Sequence, residues 1–425
     1  MKAEILTIGD ELLRGEIVDS NKSFLSERLL DLDIETRFHT SVADDPEDMR
    51  DAFRRAAQRS DAVLVSGGLG PTRDDLTTQV LAHSFGRELR LDETALASIR
   101  RFFERLGREM SPNNASQAYF PEGAEVLPNP IGTAPGFMLD VGEALFFCLP
   151  GVPSELRRMM DEQVLPRLAE RRAAGVAVRA TLLRTFGIGE SNLDHQLRDV
   201  ALEGDVTIGF RTAFPDNYVR VRVRAASAAE AESKLEQVCG EIHKRLGPIV
   251  YGEGPETLEH VVGRLLLDAG RTVAVAESCT GGLLAERITS VPGASQYFAG
   301  GVVAYGNAAK TALLNVPAEL LAAEGAVSEP VARAMAEGVR ERFATDFGLA
   351  TTGISGPTGA TEATPLGTVY IAFARQGGST HVDRFVFALD RVRHRTIASQ
   401  IALDWVRRAI LGAELAAPTL LRSKG

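Results

Sequence analysis

The sequence is poor in cysteine and has no excess of basic charge. Among its 425 residues are only three cysteines, Cys148, Cys239 and Cys279, and no two of them have the spacing of metal ligands. A scattered, odd-numbered set of this kind does not form a disulfide framework. Acidic side chains number 57 against 47 basic ones, which gives a formal net charge of -10. This balance argues against nucleic acid as a general partner.

Long hydrophobic runs are also missing. No apolar run approaches the length of a membrane span, so no membrane partner is expected. The first ten residues contain Lys2, Glu4 and Asp10, and these charges are incompatible with a signal peptide. A hydrophobic content of 44% and a charged content of 24% are typical of a globular protein. We expect a cytoplasmic protein of two or three domains, because one core does not grow to this length.

Strand and helix patterns alternate in both end segments. The patterns predict buried strands over 3–8, 61–66 and 145–149, with helices beginning near residue 20 and covering 50–57. Further on they predict helices over 258–267, 283–289 and 396–411, and strands over 272–276, 301–305, 349–352 and 368–374. Such alternation is typical of a mainly parallel sheet with crossover helices.

The middle segment has a different pattern. Strands are predicted over 180–186 and 218–225, followed by a helix over 228–246. Residues 218–224 alternate apolar and basic side chains strictly, so one sheet face is either solvated or in contact with RNA; the acidic whole favours the solvated face. The predicted fold class is therefore α/β, with two α/β domains, 1–170 and 255–425, joined by a small α+β module, 171–254.

The most informative stretch is 272–282, which contains Ser278. An apolar, β-branched run ends there in a polar turn with two glycines, and a helical pattern follows. Strand, sharp turn and helix start would place the hydroxyl at the carboxyl edge of a sheet beside unpaired backbone N–H groups, as a nucleophile with an anion hole requires. An ordinary helix N-cap explains the same pattern.

A serine nucleophile needs a base. His381 and His394 have no suggestive neighbours, which leaves lysine as the other option. Lys310 is the only lysine between 255 and 423, and it follows a predicted strand that ends at Tyr305. A lysine buried near a tyrosine loses its proton near neutral pH and can act as a base. A solvated lysine at a helix start fits the same spacing.

A second candidate site combines glycine turns with carboxylates. The turns at 9–11, 66–75 and 150–154, with 132–136, all follow predicted strands, where open α/β sheets bind ligands. The turns hold glycines that let backbone amides approach a phosphate: Gly67, Gly68, Gly70 and Gly151. Glu11, Asp74 and Asp75 are oxygen ligands suited to a divalent cation. Tight turns explain the glycines equally, and the first turn of a helix running to Leu81 explains Asp74 and Asp75.

The first segment resembles the molybdopterin-binding domain of the MoaB/MogA type. The resemblance rests on IGDELL at 8–13, DSN at 19–21 and GGLGPTRDDLT at 67–77, whose wording is that of the CinA family (competence/damage-inducible protein A). It implies a pyrophosphatase that acts on ADP-ribose with a divalent cation such as Mg, Mn or Co. The resemblance assigns Glu11 and Asp75 to the metal, followed by Asp74, and places Thr72 in the substrate site.

The last segment resembles the CinA C-terminal domain, which is similar to the stand-alone nicotinamide mononucleotide (NMN) deamidase PncC. The motifs are ESCTGGL at 277–283, GGVVAYGN at 300–307 and TGISGP at 352–357. The family's catalytic set falls on Ser278, Tyr305 and Lys310, and the implied reaction needs no cofactor. The motifs place substrate-binding residues at Cys279, Thr280, Gly281, Thr352, Gly353 and Ser355. Arg391 or Arg393 would meet the 5′-phosphate, or else form a solvated helix start.

Together the resemblances imply a bifunctional, homodimeric enzyme of pyridine nucleotide salvage. NMN and ADP-ribose are both fragments of NAD, which would explain the fusion of two activities in one chain. Two rival hypotheses stay open. The first segment could transfer nucleotides, as its molybdopterin relatives do. The chain could instead be a non-catalytic interaction module in competence or DNA damage, although the acidic balance and the intact Ser-Tyr-Lys set count against that.

Overall fold

The computed structural model describes residues 1–171, 177–200, 205–362 and 364–415. These residues fold into two compact units, Met1–Val178 and a second one from Arg179 onward. No helix among the described residues has both the length and the apolar character needed to cross a bilayer.

The first unit is built on a six-stranded sheet. The strands of the unit are β1 Lys2–Ile8, β2 Glu35–Val42, β3 Ala62–Ser66, β4 Leu89–Leu91, β5 Tyr119–Pro121, β6 Glu125–Leu127, β7 Gly136–Val141 and β8 Ala144–Leu149. The sheet order is β2-β1-β3-β8-β7-β6, while β4 and β5 form a separate ribbon. Strands β2, β1, β3 and β8 are parallel, whereas β7 and β6 are antiparallel additions. The carboxyl ends of the parallel strands therefore meet along one edge.

Helices cover both faces of this sheet. They are α1 Asp10–Leu13, α2 Ser20–Asp31, α3 Pro46–Arg59, α4 Thr77–Ser84, α5 Glu93–Arg105, α6 Pro153–Met159 and α7 Leu165–Arg171, with a 3-10 turn at Pro112–Ala118 and a π-helical turn at Met160–Val164. Alternate strand residues pack on opposite faces: Leu6 and Phe146 join one core, Ile5 and Phe147 the other. The N-cap of α2 is Asp19, which accepts from the Lys22 amide. Helix α4 begins only at Thr77, so placing Asp74 and Asp75 in its first turn was wrong.

The second unit contains two sheets, of which the first is small and antiparallel. It comprises β9 Ala177–Thr185, β10 Val206–Ala213, β11 Asp216–Ala225 and β12 Val250–Glu253, with α8 Glu190–Leu197, α9 Ala228–Leu246 and a 3-10 turn at Gly247–Ile249. The order is β10-β11-β9-β12. Val219, Val221 and Val223 are buried, and the arginines between them lie on the other, wetter face. Strand β10 was not predicted from the sequence.

The second sheet of this unit is mixed. Its strands are β13 Val273–Glu277, β14 Phe298–Val303, β15 Phe347–Gly353, β16 Thr368–Arg375 and β17 His381–Val386. The helices that accompany it are α10 Leu258–Asp268, α11 Leu283–Thr289, α12 Asn307–Leu314, α13 Ala318–Glu324, α14 Glu329–Phe343 and α15 Arg391–Ile410, with a 3-10 turn at Ala294–Gln296. The order is β14-β13-β15-β16-β17, and β14, β13 and β15 are parallel. Helices α10, α11 and α15 pack on one face and α12 to α14 on the other.

The α/β fold class is confirmed, with corrections to individual elements. Helices α12 to α14 and strand β17 were not predicted. Helix α15 begins at Arg391 rather than 396, because Asp390 caps it by accepting from the Arg393 amide. Because β14, β13 and β15 run in parallel, the segments that follow them (304–306, 278–282 and 354–357) emerge at one edge of the sheet.

Candidate active sites

Ser278 lies in a sharp turn at the carboxyl end of β13. All five residues of β13 are buried, and Ser278 itself is 8% exposed. The Ser278 amide donates to the Thr351 carbonyl of β15 at 2.9 Å, and the Gly281 amide donates back to the Ser278 carbonyl at 3.2 Å. Gly281 and Gly282 have φ of 59° and 99°, which side-chain-bearing residues rarely adopt. The two glycines thus let the chain reverse directly from strand to helix.

Glu277, which sequence reasoning missed, organises this turn. Its carboxylate is fully buried and accepts from the amides of Gly282, Leu284 and Ala285 at 2.9, 3.0 and 2.8 Å. These N–H groups form the positive end of α11, which would otherwise attract an anion. The protein's own carboxylate therefore occupies that end of the helix. The sequence does contain a signal for this role, because an acidic residue at the end of a buried strand and just before a helix is placed to bind the first amides of that helix.

Two other backbone N–H groups of the turn stay available. Among the described residues, the amides of Cys279 and Thr280 make no hydrogen bond to another residue's acceptor. Thr280 is held on both sides: its hydroxyl contacts Thr351 Oγ1 at 2.7 Å, and its carbonyl accepts from Arg395 Nε and Nη2 at 3.0 and 2.6 Å. Burial raises the pKa of the Cys279 thiol to about 12, so this side chain is a neutral, packed group.

Lys310 reaches Ser278 from the first half of α12. Its side chain is 1% exposed, and Nζ lies 3.2 Å from Ser278 Oγ. Nζ also donates to the carbonyls of Ala304 and Tyr305 at 3.0 and 3.3 Å. Burial lowers the pKa of Lys310, and the charge of a Cys279 thiolate would oppose that shift. In its unprotonated form the amine has two N–H bonds and one lone pair; with both N–H bonds directed at carbonyls, the lone pair would accept from the Ser278 hydroxyl.

Tyr305 lies at the same site, but its side chain has a different hydrogen-bond partner than its grouping with Ser278 and Lys310 in one catalytic set implied. The side chain is 57% exposed, and its hydroxyl accepts from Arg391 Nη2 at 3.0 Å. Within the described residues, no hydrogen bond joins this phenol to Ser278 or Lys310. The backbone carbonyl of Tyr305, in contrast, holds the Lys310 amine. The structure thus brings Ser278 and Lys310 together directly and Tyr305 through its main chain.

The third motif, 352–357, leaves the end of β15 and is fixed by a buried histidine. Ser355 Oγ lies 2.8 Å from His394 Nδ1, and His394 Nε2 lies 3.0 Å from the Gly367 carbonyl. Burial lowers the pKa of His394, which favours the neutral ring with Nε2–H donating and Nδ1 accepting. The expectation that His394 has no meaningful neighbour was wrong, because the contact joins residues 39 apart in sequence.

Other residues assigned to this site are held by local contacts. The Thr352 hydroxyl donates to the Ala326 carbonyl at 2.7 Å, and a Cβ at Gly353 would lie 2.6 Å from the Thr368 carbonyl. Arg391 Nη1 donates to the Gly356 carbonyl at 2.8 Å. Arg393 pairs with Asp390 at 3.7 Å and lies over the Phe214 ring at 5.6 Å. Their roles toward a substrate stay predictions.

The first unit holds a separate cavity of about 440 Å³ at the carboxyl edge of its sheet. Its lining includes all three carboxylates and all four glycines singled out in the sequence: Glu11, Asp74, Asp75, Gly67, Gly68, Gly70 and Gly151. Thr72 lies beside it and donates from its amide to Asp75 Oδ2 at 2.8 Å. The cavity also includes Asp44 and Glu155, which carry no sequence signal of their own.

Glycine is required where backbone segments approach closely around this cavity. Gly67 has φ of 108°, and a Cβ there would lie 2.3 Å from the Ile8 carbonyl oxygen. Gly68 has φ of 67° and would meet Thr77 Oγ1 at 2.2 Å. Asn21 joins two of the turns, since its Nδ2 donates to Ser66 Oγ at 3.0 Å and to the Gly151 carbonyl at 2.7 Å. The turns therefore form one rigid cradle rather than independent loops.

The acidic side of the cradle bears on the predicted divalent cation. Across 1–171, 177–200, 205–362 and 364–415, no group of three or more His, Cys, Asp or Glu side chains is arranged to hold a metal ion. Burial raises the pKa of Asp44, and the neighbouring charges of Asp10, Glu11 and Asp74 add to this. Mg²⁺ typically takes one or two protein carboxylates and completes its shell with phosphate and water. The carboxylates around this cavity could therefore supply only part of such a coordination shell.

Comparison with known proteins covers most of the chain. Three family models match it: "Probable molybdopterin binding domain" over 4–170, "Damage-inducible protein CinA KH domain" over 180–252 and "CinA C-terminal domain" over 255–410. A CinA-like protein of Anaeromyxobacter sp. (strain Fw109-5) is 47% identical over 96% of this chain and 99% of its own. One of Citrifermentans bemidjiense is 45% identical over 97% and 98%.

A solved structure is similar to part of the chain. The crystal structure of the protein CinA with unknown function from Thermoplasma acidophilum is 36% identical, covers 39% of this chain and 97% of that one, and gives a TM-score of 0.36. The near-complete mutual coverage by the two CinA-like relatives confirms the resemblance on which the motifs were assigned. The chain belongs to the CinA family.

Proposed function

We propose that the C-terminal domain hydrolyses NMN to nicotinate mononucleotide and ammonia. The single observation that supports this most is the 3.2 Å approach of the buried Lys310 amine to Ser278 Oγ. Serine needs a neighbouring base to attack an amide, and a desolvated lysine is such a base. The exposed Tyr305 phenol and the 352–357 segment border the same edge and are available to a bound nucleotide.

The proposed reaction proceeds in two halves. Lys310 takes the Ser278 proton while Oγ attacks the carboxamide carbon, and the amides of Cys279 and Thr280 hold the resulting oxyanion. Lys310 then returns the proton to the departing nitrogen, so that ammonia leaves and an ester remains on Ser278. Water, deprotonated by the same amine, attacks this ester, releases nicotinate mononucleotide and restores the serine hydroxyl.

The test is product analysis with matched serine variants. NMN is incubated with the wild type, with Ser278→Ala and with Ser290→Ala, a control at an exposed serine in the same domain. We expect nicotinate mononucleotide and ammonia in equal amounts from the wild type and the control. Loss of the nucleophile should lower the rate by about 10³-fold or more. A Ser278→Ala variant with full activity would remove the mechanism.

We propose that the N-terminal domain hydrolyses ADP-ribose to AMP and ribose 5-phosphate. The supporting observation is the glycine cradle whose cavity also contains three predicted carboxylates. One or two of Glu11, Asp74 and Asp75 would hold a divalent cation together with the diphosphate, and such a cation would supply charge neutralisation to phosphoryl transfer. The glycine amides would bind and orient the phosphates without a Cβ in the way.

A second candidate is favoured by one finding, the match of 4–170 to a molybdopterin-binding description. Nucleotidyl transfer to molybdopterin would use the same cradle. The two are separated by incubating the protein with ADP-ribose or with ATP and molybdopterin, each with Mg²⁺, Mn²⁺ or Co²⁺. AMP and ribose 5-phosphate from the first mixture would support hydrolysis, whereas adenylylated molybdopterin from the second would support transfer. An Asp75→Asn variant should abolish whichever activity is found.

A further inference from the structure

A buried polar chain connects the small antiparallel module to the catalytic half of the second unit. It begins at Asp216, the first residue of β11, which is 9% exposed. Asp216 Oδ2 accepts from the Tyr251 hydroxyl at 2.7 Å, within the module. Its other oxygen, Oδ1, accepts from Gln400 Nε2 at 2.6 Å, on α15. One carboxylate thus bonds to both parts of the unit at once.

The chain continues from Gln400 to the helix behind the nucleophile. Gln400 is 1% exposed, and its Oε1 accepts from Arg287 Nη2 at 2.5 Å. Arg287 belongs to α11, the helix whose first amides bind Glu277. The guanidinium is held further by Glu259 at 2.9 Å and Ser399 Oγ at 3.0 Å. Three side chains therefore lead from the module to the element that begins at the Ser278 turn.

Helix α15 carries a second connection to the same turn. Arg395, five residues before Gln400, holds the Thr280 carbonyl with two N–H groups. A shift of α15 or of α11 would therefore change the direction of the Thr280 amide, one of the two proposed oxyanion donors. A misplacement of such a donor by a fraction of an ångström is expected to reduce catalysis with little effect on binding.

We propose that Asp216 is a positioning residue for the Ser278 turn and acts through Gln400 and Arg287. The directions of the hydrogen bonds along this series of side chains explain why an acceptor is needed at position 216. Gln400 uses its oxygen for Arg287, so only its NH₂ faces the module, and that NH₂ needs an acceptor. Without one, the amide turns over to find a partner, and its NH₂ then opposes the Arg287 N–H groups. The inference rests on the proposed deamidase function for its catalytic consequence only.

Asp216→Leu and Asp216→Asn make a matched pair. Leucine has nearly the same shape and accepts nothing, whereas asparagine can still accept from Gln400 and donate to the Tyr251 oxygen. Asp216→Leu removes the hydrogen bonds to Tyr251 and Gln400, and through the second we expect it to lower kcat on NMN about tenfold, with KM within about twofold. Asp216→Asn should restore kcat to near wild type. Asp194→Leu, on the exposed side of α8, is the control.

Gln400→Met breaks the chain from the other side and covers the case in which Asp216→Leu does not fold. It should lower kcat to the same extent, and the double variant Asp216→Leu/Gln400→Met should be no slower than either single one. Equal kcat in Asp216→Leu and Asp216→Asn, or additive losses in the double variant, would overturn the proposal.

Hydrogen exchange provides a readout that does not depend on any activity. Amides of 281–289 should exchange faster in Asp216→Leu than in wild type, and Asp216→Asn should match wild type. If the wild type does not hydrolyse NMN, the proposed function fails. The exchange rates of the Asp216 variants still decide whether Asp216 positions the Ser278 turn. Unchanged exchange over 281–289 in both Asp216→Leu and Gln400→Met would refute that role.

Discussion

Replacing Lys310 by arginine separates proton transfer from positive charge at the Ser278 site. A guanidinium keeps its proton at all accessible pH values, so Lys310→Arg retains a charge and donors but cannot act as a base. Lys310→Met removes both while filling the buried space. General bases contribute about 10²–10⁴-fold to rate, and we expect both variants to lose activity in that range. Met leaves the carbonyls of Ala304 and Tyr305 without this donor and should lower the free energy of unfolding by about 1–3 kcal/mol, which urea unfolding of the variant measures.

The pH dependence of the wild type supplies the second half of this test. A base must be deprotonated, so kcat/KM for NMN should rise with pH and level off above the pKa of Lys310. Because burial lowers that pKa from 10.5, the midpoint of the rise should lie below pH 10.5. Initial rates of nicotinate mononucleotide formation over about pH 5 to about pH 11 measure it. More than a tenth of wild-type activity in Lys310→Arg, or a rise centred near pH 10.5, would refute the assignment of the base.

Four further predictions follow from the geometry. Tyr305→Phe should raise KM while leaving kcat within about threefold, because the phenol contacts Arg391 and not Ser278; steady-state kinetics on NMN decide this. Glu277→Ala orphans three amides, one buried and two partly buried, and should lower the free energy of unfolding in urea by about 2–4 kcal/mol, whereas exposed Glu286→Ala should change it by less than about 0.5. Burial raises the pKa of Asp216 from 3.8 to about 6, so wild-type stability should fall by about 2 kcal/mol from pH 4 to pH 6, a slope that Asp216→Asn should lack in thermal melts. Gly67→Ala would place a Cβ 2.3 Å from a carbonyl oxygen at a residue whose φ is 108°. It should lower the free energy of unfolding of the first unit by about 3 kcal/mol, measured by urea unfolding.

Several elements were predicted well from the sequence because their signals are local. The helix over 283–289 and the one over 228–246 have the predicted bounds, since a glycine pair and a serine cap mark their starts. Strands β1, β3 and β8 were predicted to within a residue, because a run of buried apolar residues between turn signals leaves little choice. Helix α15 was predicted to start late because Asp390 was not recognised as its cap.

What the sequence did not supply are contacts between distant residues. The approach of Lys310 to Ser278 depends on how α12 follows β14, and residue types alone leave a solvated lysine equally open. The contact between His394 and Ser355 and the chain from Asp216 to Arg287 join residues from different elements. Glu277 had a local signal, but its three amide partners become visible only once the turn is built. The assignment of Tyr305 came from resemblance, and the structure gives its phenol a different partner.

Capture of the covalent intermediate tests the central claim most directly. The wild type is mixed with excess NMN, quenched in acid within one turnover, and its peptides are analysed by mass spectrometry. The nucleophilic role of Ser278 predicts an acyl adduct of the nucleotide on the peptide that contains Ser278, present in the wild type and absent in Lys310→Met. Formation of nicotinate mononucleotide without any adduct at rising enzyme concentrations, or an adduct on Cys279 instead, would contradict it.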